Sequence, residues 1–344
     1  MRNLITDVAG VLVGNAQDMR AATGATVAIF DGGAAASVAT LGGAPGARMV
    51  SSLEPEMVGQ RIDAVVLSGG SVYGLDAAGG ASAVLCAQGR GMTFGSITVP
   101  VAVQAILFDL VNGGTKDWLT EPVKKRPPYW DLGRDAALAA GQEFALGTAG
   151  AGVGATTAGL KGGLGSTSAR TSQGFTVGAL VAVNAVGSAT IGGSPNFWAG
   201  AYERDGEFGG LGWPAKLPED ATAIRFKGQP LPVTATTIAL VATDATLTKA
   251  ECKRLAIMAN DGLSKSLRPV HAPNDGDTVF AASTGRMGPG GMPPILTELG
   301  TVAADCLARA VARGVYEATA LPFPGALADW RTRFGGAGGG GTKR

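Results

Sequence analysis

Histidine is almost missing from this sequence, with His271 the only one. That excludes zinc sites built on several histidines and leaves any serine-histidine-aspartate triad dependent on a single residue. Between Val270 and Ala272, His271 reads as a structural hydrogen-bonder. Cysteine is scarce too. Cys86, Cys252 and Cys306 are odd in number, widely spaced and without a CxxC, which argues against a disulfide framework and fits a reducing cytoplasm. Charge is low and balanced: 16% of residues are charged, and 28 Lys plus Arg nearly cancel 27 Asp plus Glu. Neither nucleic acid nor an anionic membrane is therefore an expected partner. The N-terminus, Met1 to Asp7, has no signal-peptide apolar stretch. The most apolar long segment, Phe175 to Gly193, carries Asn184 and several Gly, Ser and Thr, so buried strands explain it better than a membrane helix. A soluble protein is expected. There is no G-x-S-x-G elbow and no G-x-x-x-x-G-K-[ST] loop. Gly150-Ala151-Gly152-Val153-Gly154-Ala155 matches the dinucleotide pattern only in part and follows a helical stretch, so it reads as a structural glycine loop.

What the chain has in abundance is glycine, 55 of 344 residues and dispersed, which points to tight turns and close backbone packing. With 46% hydrophobic residues a large core is available, in one large or two smaller domains. Thr26 to Phe30, Ile62 to Leu67 and Thr236 to Thr243 read as strands with buried faces, and Phe175 to Ile191 as a strand pair. Helices are expected near Leu75 to Gln88, Arg134 to Phe144 and Leu299 to Glu317. Thr248 with Glu251 forms a capping box that opens a further helix, with Cys252, Leu255, Ala256 and Ala259 on one face. Between Arg204 and Pro232 the chain is rich in Gly, Pro and charge. That stretch reads as an exposed connector, a domain boundary or the place where the chain is cut.

An enzyme without a histidine base still has one self-contained route to a nucleophile. An N-terminal threonine pairs its hydroxyl with its own α-amine, whose pKa of roughly 7.7–8.0 suits a general base near neutrality. Such an amine arises internally only if the chain is cut just before the hydroxyl residue.

Six segments, in order, then carry a resemblance: Thr6-Asp7-Val8-Ala9-Gly10-Val11, Gly42-Gly43-Ala44-Pro45-Gly46, Leu67 to Asp76 (Leu-Ser-Gly-Gly-Ser-Val-Tyr-Gly-Leu-Asp), Leu160-Lys161-Gly162-Gly163-Leu164-Gly165, Val183-Asn184-Ala185-Val186-Gly187 and Asp275-Gly276-Asp277-Thr278-Val279-Phe280. Over nearly its whole length the chain resembles the DmpA-type L-aminopeptidase D-amidase/D-esterases, which include β-peptidyl aminopeptidases and nylon-oligomer (6-aminohexanoate-oligomer) hydrolases. The resemblance implies a four-layer α/β/β/α sandwich, like N-terminal-nucleophile hydrolases but with distinct connectivity. It implies a precursor that cuts itself seven positions before a Thr-Asp or Thr-Asn pair. Thr243-Asp244 thus selects Thr236 as nucleophile, with cleavage between Ala235 and Thr236. Nylon hydrolases have Asn and the aminopeptidase branch Gly where Ala235 stands, but attack by the threonine hydroxyl requires neither side chain.

By the same resemblance Lys161 and Asn184 are catalytic, Asp275 and Asp277 match the paired acids of the nylon-hydrolase branch, and Tyr73 lies near the substrate pocket. Chemically, Asn184 would donate to an oxyanion, Lys161 would depress the amine pKa or bind the oxyanion, and Asp277 would orient the amine. Taken one at a time, Lys161-Gly162-Gly163 also reads as a surface turn and Asp275-Gly276-Asp277 as a loop. One catalytic domain is expected over residues 1–334, cut into 1–235 and 236–344, with a Gly-rich flexible tail at 335–344. No metal or organic cofactor is expected. The expected substrates are linear amides, 6-aminohexanoate oligomers, small peptides or amino acid amides, and αβ units are expected to assemble into a tetramer or larger ring. A rival is the acyltransferase of the ornithine acetyltransferase type, whose Met-Ala-Thr-Met-Leu motif is missing here. A second is a non-enzymatic glycine-rich structural or binding protein. If the strand is regular, Thr234 and Thr236 share a face and Thr237 points away.

Overall fold

The structure, a computed structural model, describes residues 1–228 and 234–335. Its strands are β1 (Val11–Asp18), β2 (Thr23–Thr40), β3 (Ala47–Arg48), β4 (Ile62–Ser68), the small hairpin β5 (Met92–Phe94) and β6 (Ile97–Val99), and β7 (Ala102–Ile106). After these come β8 (Leu164–Arg170), β9 (Thr176–Asn184), β10 (Thr236–Thr243) and β11 (Thr278–Ser283). The α-helices are α1 (Ala77–Ala87), α2 (Asp117–Thr120), α3 (Tyr129–Leu138), α4 (Lys249–Ala259), α5 (Asp261–Ser264), α6 (Pro293–Tyr316) and α7 (Trp330–Phe334).

Strand β2 organises them. The sheet runs β3-β7-β4-β2-β11-β10-β9-β8, with β1 also paired to β2. The first part of β2, from Ala25 to Ile29, pairs with β4, and Ala35 to Thr40 pair with β11. Between them Gly32 and Gly33 take φ of +79° and +74°, where the register against β4 shifts. Only glycine enters that region freely, so the strand can leave one half-sheet and join the other.

Period-two burial then sorts side chains into three cores. Val27, Ile29, Ala64 and Val66 pack on α1 and α3. Their neighbours Ala28, Phe30, Val65 and Leu67 point the other way and meet Leu180, Ile238, Leu240 and Phe280 of the second half-sheet. Val181, Val183, Ala239, Val241 and Val279 face α4 and α6. Helix, sheet, sheet and helix are stacked in that order, which is the expected four-layer α/β/β/α sandwich. Burying each large apolar side chain contributes roughly 1.5–3 kcal/mol, and the strands supply them on both faces.

The Thr248–Glu251 capping box forms, with the Glu251 carboxylate accepting from the Thr248 amide at 2.6 Å. Elsewhere the structure corrects the sequence reading. Phe175 to Ile191 is not a strand pair: only β9 is a strand, and its hairpin partner β8 precedes it. Beyond Asn184 the chain leaves the sheet, so the apolarity of Val186 and Ile191 reflects burial without pairing. Helix α3 starts at Tyr129 and ends at Leu138 instead of spanning Arg134 to Phe144. Proline geometry at Pro127-Pro128 suits a helix entrance, and that moves the start forward.

The Arg204–Pro232 stretch is anchored where it is described. Phe208, Ala221 and Lys227 are buried, and Glu207 pairs with Arg309 at 2.5 Å. Lys125 and Arg126 bind Asp117, Glu121 and Asp131 on the surface. Of the expected glycine tail, residues 336–344 lie outside the described residues. Among the described residues, no helix is long and apolar enough to cross a membrane.

Candidate active site

Thr236 is the first residue of β10 and pairs in antiparallel register with Asn184, the last residue of β9. Alternation puts Thr236 on the face of Ile238 and Leu240, between the sheets, and Thr237 on the opposite face. Thr236 is buried, whereas Thr234 is exposed. Thr237 is buried too, on the other face, so Thr236 is the one of the three buried at the sheet-sheet interface.

Around it the backbone is clamped. The Thr236 hydroxyl donates a short hydrogen bond to the carbonyl oxygen of Ala235, its own predecessor. The Gly276 amide donates to that same oxygen at 3.1 Å, and the Ala235 amide reaches the Asn274 carbonyl at 3.3 Å. A Cβ on Gly276 would lie 2.7 Å from the Thr236 hydroxyl oxygen, so only glycine allows this approach. On the other side of the peptide the Thr237 amide donates to Asp277 Oδ1 at 2.8 Å. Asp277 Oδ2 accepts from the His271 amide at 3.1 Å and lies 2.9 Å from His271 Nδ1. His271 is therefore the hydrogen-bonder its sequence setting suggests, and its contact is one of the paired acids.

Gly42-Gly43-Ala44 hold this acidic loop from behind. The Leu41 amide donates to the Asp277 carbonyl at 3.1 Å and the Ala44 amide to the Asp275 carbonyl at 2.7 Å. Asp275 bridges Ala235 in parallel pairing and is buried. Burial, and then the adjacent Asp277 carboxylate, push its carboxyl far above the ordinary carboxylate range. Its Oδ2 has no hydrogen-bond partner among the described residues.

Lys161 is buried, and its ammonium donates to the carbonyls of Gly152, Ala155 and Gly162 at 2.9, 2.9 and 2.7 Å. An ammonium has three hydrogens, and these bonds use all of them. Burial, and then the charge of Lys227, pull its pKa down to about 7. None of the three bonds reaches Thr236 or Ala235.

Asn184 is fully buried and held on both ends of its amide. Its Nδ2 donates to the Phe108 carbonyl at 2.9 Å, leaving one N–H. Its Oδ1 accepts from Asn112 Nδ2 at 3.1 Å, from the Thr156 amide at 3.1 Å and from Lys227 Nζ at 2.5 Å. Asn112 and Lys227 are site residues that the sequence reading missed. Lys227 sits in a connector of surface-like composition, and the positive-φ Gly228 after it is its only local signal. Tyr73 lies on a 3-10 turn, Ser71–Asp76, with its side chain exposed.

A cavity of about 420 Å³ opens beside this amide, lined by Val111, Asn112, Thr156, Lys227, Phe323 and Leu327 among others. Three of these residues are the donors to Asn184 Oδ1, so the cavity adjoins the residue paired with Thr236.

Comparison with known proteins matches residues 3–326 to peptidase family S58. An uncharacterized aminopeptidase of Mycobacterium tuberculosis is 39% identical, over 97% of this chain and 99% of its own. A 6-aminohexanoate-oligomer endohydrolase of Kocuria sp. is 28% identical, over 81% of this chain and 74% of its own. The solved L-aminopeptidase D-Ala-esterase/amidase of Ochrobactrum anthropi, described as a variant of the Ntn hydrolase fold, superposes with a TM-score of 0.66. It shares 21% identity and covers 98% of this chain and 94% of its own.

Proposed function

The chain belongs to peptidase family S58 and is an amide-bond hydrolase, and from that premise we propose that it cuts itself before Thr236 and hydrolyses amides with the threonine so freed. One observation carries this reading: the Thr236 hydroxyl and the Gly276 amide converge on the Ala235 carbonyl.

In self-cleavage Oγ1 attacks the Ala235 carbonyl carbon, and the Gly276 N–H stabilises the oxyanion that develops. Each such donor is worth roughly 2.7–4 kcal/mol of barrier. The C–N bond breaks, the hydroxyl proton passes to the leaving amine, and an ester joins Ala235 to Thr236. Water hydrolyses it, leaving a carboxylate on Ala235 and a free α-amine on Thr236. Asp275, neutral in the dry precursor, then faces a newly formed amine and can ionise as its counter-charge.

In turnover the α-amine takes the hydroxyl proton, Oγ1 attacks the substrate carbonyl, and the remaining N–H of Asn184 with that of Gly276 receives the oxyanion. The product amine leaves with the proton, and water releases the acid from the acyl-enzyme. Asp277 fixes the strand end through the Thr237 amide. The substrates we assign are linear amides, either 6-aminohexanoate oligomers or small peptides and amino acid amides, acting in αβ units assembled as a tetramer.

Intact mass after denaturation, with N-terminal sequencing of the small fragment, tests the cut. Fragments 1–235 and 236–344 are expected. A fragment beginning at Thr234 or Thr237 overturns the assignment, and a single chain in active enzyme overturns the mechanism. Product analysis on 6-aminohexanoate oligomers beside amino acid p-nitroanilides decides the substrate branch.

A further inference from the structure

Lys227 lies only eight residues before the bond proposed to be cut, in a stretch whose composition reads as solvent-facing. Its side chain is nevertheless buried, and its own amide is pinned to the Val186 carbonyl at 2.8 Å. An ammonium is not taken out of water without a specific acceptor. Here that acceptor is Asn184 Oδ1, at 2.5 Å, the shortest of the three contacts on that atom.

The amide of asparagine has two nearly isosteric ends of opposite function, an acceptor oxygen and a donor nitrogen. A group meant to stabilise an oxyanion works only if the nitrogen faces the reaction. Three donors gathered on Oδ1, one of them a cation, fix which end is which. We propose that Lys227 is a positioning residue that locks the Asn184 amide with its nitrogen available to the oxyanion of turnover. The inference rests on the Thr236 reading above.

Charged groups surround Lys227. Burial lowers its pKa to about 7, opposed by Asp109 and then by Asp275. Asp109 is itself buried and raised, though Thr23 and the Gly70 amide hydrogen-bond it. Lys161 also feels the Lys227 charge. The lock is therefore tightest while Lys227 is an ammonium, and it loosens as pH rises through about 7.

The test uses the full chain with Lys227→Met and Lys227→Arg, measured beside wild type for self-cleavage rate and for kcat and KM from pH 5.5 to 9. Misdirecting a group of this kind costs up to about a hundredfold. Lys227→Met should still be cut, lower kcat on that scale, leave KM within about threefold, and lose the decline above neutral pH. Lys227→Arg, charged throughout, should rescue part of kcat and carry activity to higher pH. Wild type that is never cut defeats the Thr236 reading. Normal cutting of wild type, with both variants keeping its kcat and pH profile, overturns the role of Lys227. Should Lys227→Met fail to fold, an unshifted profile in Lys227→Arg does the same.

Discussion

Two buried lysines share this molecule, and they are matched in almost every respect but one. Lys161 and Lys227 are both removed from water, and both are pulled down to about 7. Lys161 spends all three N–H groups on backbone carbonyls. Lys227 spends a short bond on a side chain that stands opposite Thr236. A cation bound to backbone fixes the course of loops. A cation bound to a rotatable amide fixes a chemical choice. Burial and electrostatics alone do not distinguish these roles; the acceptors do.

The largest expected effect removes the proposed nucleophile and so isolates the lysines from chemistry. Thr236→Ala should abolish cutting and turnover together, since one hydroxyl serves both, and should leave a full-length chain on a denaturing gel. Thr236→Ser should retain some of each. Within the uncut Thr236→Ala background, Lys161→Ala removes the ammonium from three buried carbonyls, of which those of Gly152 and Ala155 still accept from the amides of Ala155 and Gly162. An unsatisfied group costs about 1–3 kcal/mol, so a loss of about that size is expected in urea unfolding. In an otherwise wild-type chain, Lys161→Ala should retain only weak catalysis. Wild-type stability together with wild-type kcat/KM would dissolve the contrast.

A smaller effect follows from the lowered pKa values. A lysine whose folded pKa falls to about 7 sheds its proton in the folded state while the unfolded chain keeps it up to about 10.4. The stability these groups contribute is thus present above the unfolded value and lost as pH falls to about 7. Stability of the uncut protein should rise with pH across that window if the fold is otherwise intact, and Lys161→Met or Lys227→Met should each remove part of the slope. Asp275 has the opposite sign. Its raised carboxyl stabilises below the unfolded value of about 3.9, and that contribution is lost as pH rises. Asp275→Asn in the same background should therefore stabilise at neutral pH, by about 1 kcal/mol or more. The smallest effect is Thr234→Ala, which changes an exposed side chain and should leave the cut in place by intact mass.

What could be seen in the sequence follows the same division. Lys161 stands before glycines that the fold needs, because a Cβ on Gly162 would lie 2.0 Å from the Val183 carbonyl oxygen. The lysine therefore travels with a recognisable pattern. The strand opening at Thr236 was likewise within reach, because its apolarity is a local signal; the layered fold came only with the resemblance of whole segments to a known family, and the pairing with the Asn184 strand only with the structure. Lys227 has no such company. Its neighbours are chosen to cross a surface, and only the tertiary course of the connector brings its amine inward. Asn112 is obscured in the same way, on a loop between β7 and α2.

Strands β10 and β11 are adjacent in the sheet, and a cut before Thr236 places both in the smaller fragment. Each is flanked by a strand of the larger one, β9 on one side and β2 on the other. The smaller piece is thus intercalated, gripped along two seams, and nicking the chain does not let it slide free. Folding before the cut is a unimolecular search, but reassembly after denaturation becomes an encounter between two molecules. Recovery of activity from denatured, processed enzyme should therefore depend on protein concentration, whereas recovery of the Thr236→Ala fold should not. Maturation would act as a ratchet, exchanging easy renaturation for a nucleophile that the intact chain cannot expose.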